Sequence, residues 1–221
     1  MATRAGHPIA QALLGWMQLN PGRLRGLLAE EAEGAEDLSP AGDPAIRAHL
    51  RFVAEALAHG ATADLAPALE ELARTLDERL TEDAVDEEME RVGEAAAVEA
   101  GFQFGPTAGE DPALRPHLER TVRIEAWTRA FLRALDEALP PDRAVADAAI
   151  AWMADNQRRL ADMIFAMDRR AKEAERTRGG PDAIASTEAV NRIGHAVVLQ
   201  ARTRFLVEAL AQTLGRTGAA Y

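Results

Sequence analysis

Apolar residues recur every three or four positions through most of this chain, and nowhere do they alternate with polar ones for long enough to form a convincing strand. That period predicts helices over roughly 8–19, 21–33, 44–59, 64–80, 82–100, 112–139, 142–178 and 182–214. Helix starts are marked by Asn20-Pro21, Asp43-Pro44 and Asp111-Pro112, where a side chain able to cap precedes a residue whose φ is already helical. Gly60, Gly101, the pair Gly179-Gly180 and Gly215 follow periodic runs and are expected to end helices in the left-handed conformation. The stretches 34–43 and 101–111 are rich in Gly, Pro and acids and read as loops, with Phe102 and Phe104 pinning the second to a core.

The last three helices are expected to be long. Within 142–178, Val145, Ala149, Trp152, Met153, Leu160, Ile164 and Met167 form one bundle seam, which predicts burial of Met153, Leu160, Ile164 and Met167. Asn156 falls on the same seam, either fixing register or lying at its solvated edge. Helix 112–139 carries two stripes, one of Leu114, Leu118, Val122, Leu132, Leu135 and Leu139 and one of Ile124, Trp127 and Phe131, so it should touch two neighbours. Ile193, Val197, Leu206, Leu210 and Leu214 give the last helix a comparable face. The fold class is all-α: a helical bundle with three long antiparallel C-terminal helices and a set of shorter N-terminal ones. The division expected is an acidic short-helix region over 1–105 and a long-helix bundle over 106–221, or one continuous domain.

The segments Asp43–Leu50 and Asp111–Leu118 agree at six of eight positions and lie 68 residues apart. The echo records either duplication of a helical unit or shared helix-start grammar. Under duplication, His49 and His117 are equivalent and become candidates for a shared ligand site.

Ala, Leu, Glu and Arg dominate while aromatics are 5%, which reinforces the helical reading. Residues 1–110 hold 8 basic and 21 acidic side chains, net −13, against +2 for 111–221. The balance argues against nucleic acid as a partner. No window has the length of apolar sequence that a membrane span needs, and the N-terminus reads as mature protein, so a cytoplasmic protein is expected. The absence of cysteine excludes disulfides, thiolate metal sites and Cys nucleophiles.

Catalytic chemistry finds little purchase. There is no Gly-x-Ser-x-Gly, phosphate loop or dinucleotide glycine pattern, and Ser39 and Ser186 are the only serines. Di-iron bundles use Glu-x-x-His pairs on facing helices, and none occurs. Glu55 and His59 share a helix face at i and i+4, as a metal candidate or a surface pair. No catalytic residue, metal site or cofactor is therefore expected. Residues 70–99 contain 12 acidic and 3 basic side chains, including Glu87, Glu88 and Glu90, either a solvated face or a surface for a basic partner. Arg169 and Arg170, in a cluster running from Arg158 to Arg178, are the corresponding candidates for an acidic partner, although the interleaved acids favour internal links.

The long Ala-rich helices of 150–215, with few aromatics, are similar to phasin-type chains, which implies a granule- or interface-coating role. Arg192-Ile193-Gly194-His195-Ala196-Val197 resembles a helical motif of phosphate-uptake regulators but lacks the Asp that follows the Gly there, so no role is transferred. The leading expectation is a non-catalytic helical interaction protein, an adaptor or regulator, with a protein partner. Alternatives are the phasin-like coat and a helical-bundle enzyme or sensor with a His/carboxylate site. A homodimer through the long-helix half is also expected, because Trp127, Phe131, Trp152, Phe165 and Phe205 exceed what a three-helix core needs.

Overall fold

The computed structural model describes residues 8–33, 44–104, 115–180 and 186–217, with side chains described for most of these. The fold is all-α, and the described residues contain no strand. The helices are α1 (Pro8–Leu19), α2 (Pro21–Glu33), α3 (Pro44–Gly60), α4 (Ala66–Arg79), α5 (Glu82–Phe104), α6 (Arg115–Ala138), α7 (Ala146–Asp155), α8 (Gln157–Gly179) and α9 (Thr187–Thr217), with a 3₁₀ turn at Pro141–Arg143. They form two compact units: one is Gly15–Ala146, and the other joins Met1–Leu14 to Asp147–Tyr221.

In the first unit α3 is central, packing on α2, α4 and α6. Ile46, Leu50, Phe52, Val53 and Leu57 are buried, together with Ala48, Ala54 and Ala56, whose small side chains suit a helix enclosed on several sides. Most described members of both α6 stripes are buried, Ile124, Trp127 and Phe131 in one and Leu132, Leu135 and Leu139 in the other, while Val122 is only half-buried. The expectation of two neighbours is exceeded, since α6 packs on α5, α4 and α3. The side chains of Leu114 and Leu118 lie outside the described residues. Asp136 at the end of α6 accepts the backbone N–H groups of Val145 (2.5 Å) and Ala146 (3.0 Å), and so caps the start of α7.

Charge is built into the interface of α2 and α3. The Glu31 carboxylate is buried and receives Arg47 and Arg51, each at 2.8 Å. Arg23 donates from Nε and Nη2 to Glu55 at 2.7–3.0 Å, which raises its pKa, and reaches Glu30 at 2.8 Å. The hydrogen bond from Arg23 holds the Glu30 carboxyl below the usual carboxylate range.

In the second unit α8 and α9 run antiparallel, as shown by the early residue Arg159 of α8 bonding the late residue Glu208 of α9 at 2.6 Å. Trp152 packs on Phe205 at 5.1 Å between ring centroids. Met153 and Leu160 are buried as expected, but Ile164 and Met167 are only half-buried. Among the described residues α8 packs extensively on α9 alone, and a helix with one neighbour covers a narrow stripe.

Four boundary expectations need correction. The helix expected over 142–178 is two helices, broken at Asn156, whose φ of −114° and ψ of 21° leave the α region. Its Nδ2 donates to Trp152 O at 2.8 Å, and Gln157 Nε2 donates to Met153 O at 3.1 Å, so side chains replace the lost ladder bonds at the end of α7. Asn156 is thus a helix terminator rather than a seam residue. Asn20 acts alike: its Nδ2 donates to Trp16 O at 2.8 Å, closing α1 instead of capping the start of α2 with its side chain. The helix α5 continues through Gly101 to Phe104, where a loop was expected. Of the expected glycine terminators only Gly180 has positive φ (80°), with its N–H bonded to Arg176 O at 2.9 Å, while Gly60 is the last residue of α3 without positive φ and Gly101 and Gly215 lie within helices. Asp43, Asp111 and Pro112 lie outside the described residues.

Candidate functional site

The sequence expectation centres on the acidic run, and α5 gives it a defined geometry. Thr81 opens the helix by accepting the Ala84 N–H at 3.3 Å, and Glu82 and Asp83 occupy the first turn, where the positive end of the helix dipole favours them. Val85, Glu88 and Val92, at i, i+3 and i+7, are buried. Asp83, Asp86, Glu87 and Glu90, at i, i+3, i+4 and i+7, form the opposite, exposed stripe. Among the described residues no cation lies within ion-pair distance of Asp83, Asp86 or Glu90, and Glu87 has only a long contact with Arg91 at 3.4 Å.

Glu88 does not belong to that outward face. Its side chain is 4% exposed, its Oε1 accepts from Arg91 Nη1 at 2.5 Å, and Arg133 Nε on α6 lies 3.9 Å away. It forms the floor of a groove of about 560 Å³ between α4, α5 and α6, walled by Ala84, Ala130 and Ala134 and rimmed by Arg79, Glu87, Arg91, Arg133 and Glu137. Arg79 meets Glu137 at 3.6 Å. Three guanidinium groups and three carboxylates share this groove, so it is close to charge-balanced. Sequence spacing alone could have separated Glu88 from its neighbours, because it lies in register with Val85 and Val92.

The remaining candidates are dispersed. Arg169 and Arg170 are exposed on α8 and have no ion pair among the described residues. The expected internal links occupy much of the rest of their cluster: Lys172 with Asp168 (2.8 Å), Arg176 with Glu173 (3.7 Å), Arg178 with Glu175 (3.5 Å) and Arg159 with Glu208. Glu55 and His59 do share a face of α3, but Glu55 is engaged by Arg23 while the exposed His59 ring stacks on Trp16 at 4.8 Å. His49 is buried, its Nδ1 2.8 Å from Ala45 O. The His117 side chain lies outside the described residues. Among the described residues no three His, Asp or Glu side chains are grouped to hold a metal ion, and no helix is long and apolar enough to cross a membrane.

Of the five aromatics taken as excess apolar surface, Trp127, Phe131 and Phe205 are buried and Trp152 is half-buried. Phe165 alone of these stands out, with 72% of its surface exposed on α8. Sequence reasoning gave no reason to separate it from the others. Compared with family models, with curated proteins and with solved structures, the chain matches none.

Proposed function

We propose that the chain is a non-catalytic helical interaction protein, an adaptor or regulator, that engages a basic surface of a protein partner through the outer stripe of α5. The observation that carries this reading is the exposed set Asp83, Asp86, Glu87 and Glu90 on one helix face, of which only Glu87 meets a cation among the described residues. Like charges at i and i+4 cost an isolated helix about 0.2–0.5 kcal/mol per pair, and a cationic partner would relieve that repulsion. Such a surface mainly steers encounter and selects partners by charge.

The test is affinity purification with the full chain, followed by binding measurements on the recovered partner at low and high ionic strength. Asp86→Arg combined with Glu90→Arg should weaken binding at least about tenfold, and added salt should do the same. The equally charged change Asp142→Arg with Asp155→Arg, at exposed positions elsewhere, should leave binding intact. Binding indifferent to both salt and the α5 reversal would remove the acidic stripe from the reading. Self-association as a homodimer through α8 and α9 belongs to the same proposal, supported by the exposure of Phe165.

A further inference from the structure

We infer that the outer face of α8 docks antiparallel on the same face of a second copy of this chain, with the two-fold axis passing between Phe165 and Ala166. The inference rests on the reading of the chain as self-associating and gives that association a surface and a register.

Arg158, Asp162, Phe165, Arg169 and Glu173 follow one another at steps of four, three, four and four, which places them on a single stripe of α8, and all five are exposed. Leu160, Ile164 and Met167 occupy the opposite side, turned to α9. Among the described residues Arg158, Asp162 and Arg169 have no ion partner within the chain, while Glu173 has only its exposed 3.7 Å contact with Arg176. The stripe therefore holds an uncovered aromatic ring flanked by charges that the chain itself leaves largely unpaired.

The order of those charges is self-complementary. Under the stated two-fold, Phe165 is level with Ala166 of the other copy, Asp162 with Arg169, and Arg158 with Glu173. Each pairing occurs twice, so four oppositely charged pairs flank the two rings. With a rise of 1.5 Å per residue, the inner pair spans about 10 Å of axis and the outer about 22 Å. Packed helices lie about 8–10 Å apart, within reach of arginine and carboxylate side chains. Parallel docking in register sets Arg158, Asp162 and Arg169 each against its own copy. An antiparallel register centred on Phe165 sets Asp162 against Asp168 and Arg158 against Lys172. Shifting the centre by half a residue removes both conflicts. Burial of Phe165 supplies the apolar contact, and the charges set orientation. A self-complementary surface of this kind closes as a two-fold dimer.

Light scattering after size exclusion, on the full chain across a wide concentration range, should give twice the 23.8 kDa chain mass at the upper end. Asp162→Arg and Arg169→Asp should each raise the dissociation constant at least about tenfold, and Phe165→Ser should do likewise. Combining Asp162→Arg with Arg169→Asp should return it to within about threefold of the parent, because the exchanged charges attract again. Unchanged circular dichroism in each variant would confirm that folding is intact. A mass of one chain at every concentration overturns both self-association and this face. A dimer indifferent to all three single changes leaves self-association standing and overturns this face. Single changes that weaken the dimer without rescue by the exchange overturn the antiparallel register. A monomer that adsorbs to apolar polymer beads through Phe165 replaces the second copy with an interface.

Discussion

At the level of single residues, the chain places carboxylates where burial would be costly and then meets them with arginine. Glu31 is the sharpest case, with a side chain 3% exposed between two guanidinium groups that remain partly hydrated. Removing it leaves Arg51 its 3.2 Å bond to Glu30 and Arg47 a 4.0 Å contact with Asp77, and both can turn to water, so the loss falls below that for a fully buried pair. Glu31→Ala should cost on the order of 2 kcal/mol in chemical denaturation, with little change for Glu31→Asp only if the shorter side chain still reaches both arginines. Asp136 serves a comparable role through backbone donors, and neither partner set is readable from local sequence, because Arg47 and Val145 lie 16 and 9 positions away.

At the level of elements, the two asparagines that close α1 and α7 make the same bond in different contexts. Trp16-Met17 precedes Asn20 as Trp152-Met153 precedes Asn156, and each asparagine donates to its tryptophan carbonyl at 2.8 Å. Pro21 follows Asn20, so Asn20→Ala loses the bond while the helix still cannot run on, and about 1 kcal/mol of stability should go with it. No proline follows Asn156, so Asn156→Ala lets α7 and α8 regain ladder bonds and should change stability by less than about half that amount. Equal losses in thermal or denaturant unfolding would contradict the assignment. The single neighbour of α8 sets a second contrast. Leu160→Ala should cost about 2–4 kcal/mol and Ile164→Ala about 1 kcal/mol, because only the former is fully buried; Leu160→Asp should cost several kcal/mol by burying an unpaired charge.

At the level of the whole molecule, helix contacts cross the division expected at 105. Residues on both sides of 105 belong to the unit Gly15–Ala146, in which α5 and α6 form the most extensive helix pair. A fragment beginning at residue 106 would keep α6 but lose α3, α4 and α5, exposing Trp127, Phe131 and Leu135. It should bind a hydrophobic dye strongly and unfold without a cooperative transition, whereas the full chain should do neither. A cooperatively folded fragment would show that α6 does not depend on α3, α4 and α5.

Periodicity and helix-start grammar determined the all-α class and most helix positions, because amphipathic spacing and proline restrict the backbone locally. Thus α1 and α2 begin and end where the pattern places them, and both stripes of α6 find neighbours. The same local rules place Asp83, Asp86, Glu87 and Glu90 on one face of α5. Tertiary structure decided the rest, since it depends on what stands opposite. Composition made 101–111 look like a loop, yet α5 runs to Phe104; and Asn156, which suits a polar seam equally well, ends a helix. Glu88 lies in an acidic run but faces Arg133 across a helix interface, and Phe165 has the same apolar character as Phe131 but is left exposed among the described residues. An apolar pattern specifies which side of a helix avoids water; only packing determines how many neighbours arrive to exclude it.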